Sequence, residues 1–185
     1  MSKVPQAKQI ETELTQHGHT RIDKYFWLKE RENPEVRAYL EAENTYLESE
    51  LAHLKDFRGE LFQEMKGRIK EDDSTAPFRW GEYWYYRRFE QGKEYPILAR
   101  RKGSLDDPEE IILDVNELAV GQDFCQIGTW DLSPDHQTLA YALDTQGRRI
   151  FTIRFRNLRT GEDYPDQIPQ SSTSIAFAND GKTLF

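Results

Sequence analysis

Histidines and serines are the residues of this 185-residue chain whose types could support metal binding or nucleophilic catalysis. His17 and His19 flank a single glycine, but no cysteine or third ligand stands near them, so a surface turn is favoured over a metal site. A catalytic serine often lies in a Gly-x-Ser-x-Gly turn, and no such segment occurs in the sequence. The sequence therefore predicts neither a metal-ligating residue nor a serine nucleophile.

The single cysteine is a second candidate for chemistry. Cys125 lies between Phe124 and Gln126 in a stretch typical of a strand, and no histidine stands near it in the sequence. A buried, unreactive thiol is therefore favoured over a nucleophile. One cysteine cannot form an internal disulfide, which fits a reducing, cytoplasmic location.

Carboxylates form the third group of candidates. They cluster at Asp72-Asp73 and at Asp106-Asp107 with Glu109-Glu110, in turn-like stretches next to prolines. Solvated loop charges are predicted here rather than an acid/base pair. The sequence thus predicts no catalytic, cofactor-binding or metal-binding residue in this chain, and no cofactor.

The composition limits the partners of the chain. Hydrophobic residues make up 37%, charged residues 31%, and the net charge is -8, which describes a folded chain with a highly charged surface. The negative charge argues against nucleic acid as a partner. No apolar run approaches the roughly 18 residues that cross a bilayer, and the N-terminal segment lacks the apolar centre of a secretory signal. We expect neither a nucleic-acid nor a membrane partner.

Residues 1–72 form the first predicted domain, which is mainly helical. From residue 36 to residue 69, apolar residues recur at steps of three and four, the spacing of one face of a helix or of two helices in line. Asn33 is a predicted cap, Pro34 the first helical residue, and Gly59 a candidate interruption. Because little else in the region can bury this face, it requires a partner surface. Docking on the rest of the same polypeptide is favoured over recruitment of another protein.

Residues 73–185 form the second predicted domain, in which the apolar period changes to two. The aromatic residues fall into two alternating sets, Phe78, Trp80, Trp84 and Tyr86 in one and Tyr83, Tyr85 and Phe89 in the other. A strand with aromatics on both faces is predicted to be buried on both faces, as in stacked sheets. Arg87 and Arg88 follow the aromatics, so a platform for stacking bases is the alternative, disfavoured by the net negative charge.

The second domain repeats itself. Residues 83–101 align with residues 138–156 at an offset of 55, so that Tyr86 falls on Tyr141. In the same alignment, Arg101 falls on Arg156. Each segment has the pattern of a strand, a Gln-Gly turn and a second strand, which predicts two β-hairpins.

A further alignment, at an offset of 45, places residues 133–139 over residues 178–184. A repeating β-unit of about 40 to 55 residues has the size of a propeller blade, a small twisted sheet that packs on a neighbour through each face. The predicted fold class is α+β: an N-terminal helical segment followed by roughly two blades of an incomplete, mainly antiparallel β-propeller.

These segments together resemble the N-terminal part of the prolyl oligopeptidase family of serine peptidases, and within it the oligopeptidase B group. Four stretches carry the resemblance: residues 17–46, 92–103, 113–119 and 133–165. The first contains His17-Gly18 and the aromatic anchor that begins at Tyr25, and the last contains the second predicted hairpin. The resemblance runs in order from residue 10 to residue 185.

The resemblance implies a cytoplasmic serine peptidase that cleaves short peptides, after Arg or Lys in the oligopeptidase B group. It implies a seven-bladed propeller that limits access to the active site, and an α/β-hydrolase domain against which the N-terminal segment packs. The family's catalytic serine, aspartate and histidine lie in that hydrolase domain, so none is assigned to a position of this sequence. The implied partners are the hydrolase domain and the remaining blades, with short peptides as substrates of the full-length protein only.

The last predicted strand stops after three residues, at Phe185, where the aligned strand continues. We therefore expect the chain to be an N-terminal fragment or truncated product with a structural, substrate-gating role and no catalytic activity of its own. A stand-alone, non-catalytic interaction module is the alternative.

Self-association or poor solubility of the isolated chain is the first expected outcome. Its apolar helical face and its last blade would both lack the surfaces that cover them, and uncovered apolar faces and strand edges promote association. Size-exclusion chromatography combined with thermal melting tests this expectation. A monodisperse monomer with a cooperative melting transition would contradict it.

Overall fold

The computed structural model describes residues 4–185, which divide into two compact units between Ile69 and Lys70. The first unit begins with an antiparallel hairpin of β1 (Thr12–Gln16) and β2 (His19–Asp23). His17 and Gly18 form its turn with φ angles of 52° and 78°. Two successive positive φ angles match the twist of a two-residue hairpin turn, which explains the glycine. The surface turn predicted at this histidine pair is therefore confirmed.

Two helices in line follow a short 3-10 helix at Phe26–Lys29. Helix α1 spans Pro34–Leu51 and helix α2 spans Lys55–Gly67. The Asn33 side-chain oxygen accepts a hydrogen bond of 2.9 Å from the Glu35 N–H, so the predicted cap is confirmed.

The helical region is interrupted at Ala52–Leu54, a single 3-10 turn, and the interruption predicted at Gly59 is wrong. The Ser49 hydroxyl donates to the Tyr46 carbonyl, and the His53 ring bonds to the Glu50 carbonyl, so side chains take part in the local bonding where the helix tightens. Gly59 lies inside α2 because one glycine lowers helix stability by only about 1 kcal/mol. None of the helices in residues 4–185 is long and apolar enough to span a membrane.

The second unit contains two four-stranded antiparallel sheets with their strands in sequence order. The first sheet contains β3 (Phe78–Trp80), β4 (Tyr83–Arg88), β5 (Ile97–Lys102) and β6 (Glu109–Asp114). The second contains β7 (Gln126–Leu132), β8 (Thr138–Asp144), β9 (Phe151–Asn157) and β10 (Asp163–Ser171). A one-turn helix, α3 (Val115–Leu118), follows the first sheet. The predicted α+β class is confirmed.

The repeat at an offset of 55 holds at the level of strand register. Tyr86 pairs with Ala99 between β4 and β5, and Tyr141 pairs with Arg154 between β8 and β9. All six pairs of the first hairpin have their counterpart in the second. Because register decides which residues share a face, the two sheets present corresponding positions in the same direction.

The second repeat, at an offset of 45, marks the start of a third hairpin. The Ser133 N–H donates to the Thr138 carbonyl over 2.9 Å, and the Ala178 N–H donates to the Thr183 carbonyl over 2.8 Å. An antiparallel bridge between Phe177 and Leu184 continues this arrangement. The turn predicted from the sequence is therefore present in both places.

The predicted grouping of the aromatic residues into two alternating sets is wrong, because a turn lies between β3 and β4. Trp80 lies directly opposite Tyr83, and Phe78 lies opposite Tyr85, so these four residues share one face. The two residues of this turn move the inward-facing side chains from even positions in β3 to odd positions in β4. The alternating sequence pattern alone did not reveal this change. Tyr83 and Tyr85 are buried, while Phe78 and Trp80 remain 49% and 37% exposed, so burial on both faces is limited to the inner strands.

The main core lies between the two sheets. The apolar residues that meet there are buried and come from both sheets: Tyr85, Leu98, Leu113, Leu132, Leu139 and Tyr141. A second cluster on the opposite face of the second sheet joins Ala140, Ala142, Phe151 and Ile153 to the partly buried Ile175, Phe177 and Leu184. The second sheet is thus covered on both faces, as predicted for a blade with neighbours.

Truncation of Leu139 to alanine is expected to lower the free energy of unfolding of the second unit by about 2 to 5 kcal/mol, because its side chain is completely buried between the sheets. Urea unfolding monitored by tryptophan fluorescence measures the change. Val120→Ala is the matched control, since Val120 is 78% exposed and should change stability by less than about 0.5 kcal/mol. Equal effects of the two substitutions would contradict this core assignment.

Candidate functional site

The candidate histidines belong to the first unit, and the single cysteine belongs to the second. His17 lies in the exposed turn of the first hairpin, His19 begins β2, and no group of three metal-ligand side chains occurs within residues 4–185. Cys125 lies in the second unit, where it is 3% exposed. Burial raises the pKa of the Cys125 thiol, so the protonated, weakly nucleophilic form predominates at neutral pH.

The prediction of solvated loop charges is wrong for Glu109 and Glu110. Glu109 and Glu110 belong to strand β6, and each forms an ion pair with an arginine, Glu109 with Arg88 and Glu110 with Arg100. Asp106 and Asp107 lie in the turn before β6, as predicted, and Asp107 accepts hydrogen bonds from the N–H and hydroxyl of Ser104. An acidic residue in a strand can pair with an arginine of a neighbouring strand. The sequence alone does not show which residues lie opposite each other.

One polar cluster lies on the first sheet. The Tyr86 hydroxyl donates to Glu109 Oε2 over 2.6 Å, and Arg101 Nε donates to the same hydroxyl over 3.0 Å. Arg88 Nε contacts both oxygens of Glu109 at 3.0 and 3.1 Å. All polar groups of this partly buried cluster have partners, so it positions strands rather than offering a free acid or base.

The second sheet repeats this cluster. The Tyr141 hydroxyl donates to Asp163 Oδ2 over 2.5 Å, and Arg156 Nε donates to Asp163 Oδ1 over 2.6 Å. Burial first, and then the Asp163 carboxylate, raise the pKa of Tyr141, so its phenol stays protonated. The sequence alignment matched the tyrosines and arginines but missed the carboxylates, because the connection before β10 is one residue shorter than the connection before β6.

A third cluster joins the two sheets at the turn that precedes β8. His136 Nδ1 lies 2.8 Å from the Tyr85 hydroxyl, and Arg100 Nη1 donates to the His136 carbonyl over 2.6 Å. The His136 ring also packs against the rings of Trp80 and Tyr83, with centroids 5.1 and 5.5 Å away. Sequence reasoning identified the turn but not this histidine as a contact between sheets.

The close fit of His136 explains Gly81. A Cβ atom at position 81 would lie 2.8 Å from His136 Nε2, and the glycine has a φ of 62°. Burial first, and then the Arg100 cation, lower the pKa of His136, so the neutral ring is favoured in the folded protein. The groups facing the ring include the charges of Glu82 and Asp135, which act in the opposite direction.

The helical unit carries an uncovered apolar surface. Six large apolar side chains of α1 and α2 are between 41% and 61% exposed, and we call this set the helix surface: Leu40, Leu47, Phe57, Leu61, Phe62 and Met65. An open groove of about 750 Å³ lies among Leu61, Phe62, Met65 and the end of α1. Exposed apolar side chains around a groove are typical of a surface that another protein surface covers.

Acidification is expected to weaken the second unit through His136. Its folded pKa lies below the value of about 6.5 in the unfolded chain, so the unfolded state takes up the proton first as pH falls. The stability that the neutral ring contributes is complete above about pH 6.5 and is lost as pH falls toward the folded pKa. Urea unfolding at about pH 7.5 and about pH 5.5 measures this loss.

The matched variant is His136→Asn, because asparagine tolerates the positive φ of 59° at this position. The loss of stability between the two pH values should be smaller in the variant than in the unsubstituted chain. If both lose the same amount, carboxylates elsewhere account for the pH dependence and the assignment to His136 is wrong.

The comparisons with known proteins agree with this architecture. Residues 5–185 match the family described as the prolyl oligopeptidase N-terminal beta-propeller domain. The chain is 43% identical to dipeptidyl aminopeptidase BI of Pseudoxanthomonas mexicana over 91% of its own length and 26% of the relative. It is 36% identical to protease 2 of Moraxella lacunata over 90% of its length and 25% of the relative. The chain thus spans about a quarter of the length of these relatives.

Two solved structures extend the likeness to the fold. Oligopeptidase B from Leishmania major superposes with a TM-score of 0.87 and 27% identity, covering 96% of this chain and 28% of that chain. Oligopeptidase B from Trypanosoma brucei, in a closed form with covalently bound antipain, gives a TM-score of 0.83 and 28% identity over 95% of this chain and 27% of that one. The chain therefore belongs to the prolyl oligopeptidase family, with the sequence and fold of its N-terminal β-propeller domain and a likeness to oligopeptidase B.

Proposed function

We propose that this chain is the propeller-side portion of a serine-type oligopeptidase that cleaves short peptides after Arg or Lys. The observation that carries the proposal is the likeness to oligopeptidase B over nearly the whole chain, combined with coverage of about a quarter of the relatives. Hydrolysis would use a Ser-Asp-His mechanism with an acyl-enzyme intermediate in an α/β-hydrolase domain outside these residues. The 185-residue chain would have no catalytic residue and no cofactor.

The partner of the helical segment, residues 1–72 in this proposal, is the hydrolase domain of the same protein. The exposed apolar helix surface supports this assignment, since side chains such as Phe57, Phe62 and Met65 are about 60% exposed. The blades, residues 73–185, would be continued by further blades of the propeller. The open start of a third sheet at Phe177 and Leu184 supports that continuation.

The role of the blades is to restrict access to the catalytic domain so that folded proteins stay out. The arrangement of the candidate reactive groups supports a structural role. The Glu109 and Asp163 carboxylates bind tyrosine and arginine, His136 bonds to a tyrosine, and Cys125 is a buried thiol. The buried cysteine also fits the proposed cytoplasmic location.

A second candidate function is the release of dipeptides from the free amino end of a peptide. The relative that is 43% identical carries the name dipeptidyl aminopeptidase BI, and this observation favours the second candidate. The two candidates share the catalytic chemistry and differ in whether the substrate needs a free amino terminus. An N-terminal portion of the protein is a reasonable place for such a restriction because it frames the approach of the peptide.

The activity test compares the 185-residue chain with the product of its complete reading frame. The substrates are an N-blocked fluorogenic peptide that ends in Arg, the same peptide ending in Lys or Pro, and an unblocked dipeptide. We expect no turnover from the 185-residue chain. The longer product should cleave the blocked Arg and Lys substrates and lose this activity with a serine-directed inhibitor.

Other outcomes separate the alternatives. Turnover of only the unblocked dipeptide would replace the first candidate with the second. Turnover by the 185-residue chain that survives the inhibitor would overturn the assignment of catalysis to another domain. A reading frame that encodes no hydrolase domain would favour a stand-alone interaction module.

A further inference from the structure

A pocket of about 590 Å³ lies in the second unit, next to Cys125, and we call it the Arg87 pocket. Its wall is built from both sheets and the segment that joins them. Arg87 and Leu98 come from the first sheet, Val115 from α3, and residues 126–130 from β7. Ligand pockets of proteins have volumes of about 300 to 1,000 Å³ and are mostly apolar with a few polar groups, which is the composition of this one.

The wall of the Arg87 pocket has one formal charge. The chain contains 33 acidic residues and carries a net charge of -8, yet no aspartate or glutamate lines this pocket. The guanidinium of Arg87 has no ion pair or hydrogen bond to another residue within the part of the chain that the structure describes. The neighbouring Arg88 and Arg100 differ, because Glu109 and Glu110 engage them. Arg87 is an exposed residue, and as the one charged side chain of the pocket wall it favours an anionic ligand.

The rest of the wall is largely apolar. It is formed mainly by aliphatic and aromatic side chains such as Leu98, Val115, Ile127 and Trp130, with Gln126 and Thr129 as polar members. The ligand that matches this wall has an apolar body attached directly to an anion. A free amino acid carboxylate next to an apolar side chain has this form, since both groups are attached to the same carbon atom.

The pocket is held in place by the backbone around it. The Arg87 N–H donates to the Thr75 hydroxyl over 3.0 Å, and the Tyr95 N–H donates to Asn116 Oδ1 over 3.0 Å. Asn116 returns a bond of 2.8 Å to the Tyr95 carbonyl, which ties the start of β5 to α3. A rigid pocket loses little entropy on binding, so even a small ligand can bind measurably.

We propose that the Arg87 pocket binds the C-terminal residue of a short peptide, with the terminal carboxylate on the Arg87 guanidinium and an apolar side chain against Leu98, Ile127 and Trp130. The C-terminal carboxylate is chosen over an acidic side chain because it places the charge and the apolar group within one residue. The proposal concerns binding alone, so it stands or falls independently of the proposed peptidase activity.

The test measures binding of N-acetyl-Ala-Phe and its C-terminal amide to the 185-residue chain by isothermal titration calorimetry. The acid is expected to bind about tenfold more tightly than the amide, because a charge-assisted pair is lost in the amide. In Arg87→Gln, acid and amide should bind equally. Arg159→Gln is the matched control, since Arg159 is an exposed arginine in the turn between β9 and β10 and should keep the preference.

Several results would overturn the proposal. These are no binding of the acid to the unsubstituted chain, equal binding of acid and amide, or a preference that survives in Arg87→Gln. Equal binding of N-acetyl-Glu-Phe amide and the acid would assign the pocket to acidic side chains instead. Circular dichroism and thermal melting of both variants establish that neither substitution has unfolded the chain.

Discussion

Face-to-face burial of twisted antiparallel sheets is the interaction on which the rest of this structure depends. Leu98 and Leu113 of the first sheet meet Leu139 and Tyr141 of the second in one continuous core. The opposite face of the second sheet is also apolar and packs against the start of a third hairpin. A sheet with two apolar faces cannot be stable alone, so each unit of the repeat depends on its neighbours.

Polar groups at the junctions are tolerated because nearly all have partners. Asp144, which is 1% exposed, accepts hydrogen bonds from the N–H groups of Gln146, Gly147 and Arg149 in the turn after β8. Burial alone would raise the pKa of Asp144, but these donors outweigh it and lower the pKa. The carboxylates in the tyrosine and arginine clusters of both sheets are stabilised in the same way, because each accepts hydrogen bonds from donors on other strands of its sheet. The charged side chains of these clusters therefore pair across strands and help to set the strand register.

The two units bury their apolar side chains to different extents. The helical unit presents apolar side chains, such as Phe57 and Phe62, that its own fold does not bury. The sheet unit buries its apolar residues well and leaves open mainly the strand that begins near Leu184 and the Arg87 pocket. The exposed helix surface and the incomplete third hairpin are the observations that support the proposed covering domain and further blades.

The sequence by itself determined the secondary-structure elements, the repeat and the family. The alternating and helical periods, the capping pair Asn33-Pro34, the Gln-Gly turns and the offset of 55 residues all reflect local backbone preferences or repetition, and each could be recognised without contacts. The tertiary structure alone decided which residues meet. The two-residue turn after Trp80 reassigned the aromatic faces, Glu109 found its arginine and tyrosine across strands, and His136 reached Tyr85 from another sheet. The Arg87 pocket likewise draws its wall from segments distant in sequence, because strand register and sheet packing, which no local pattern encodes, bring them together.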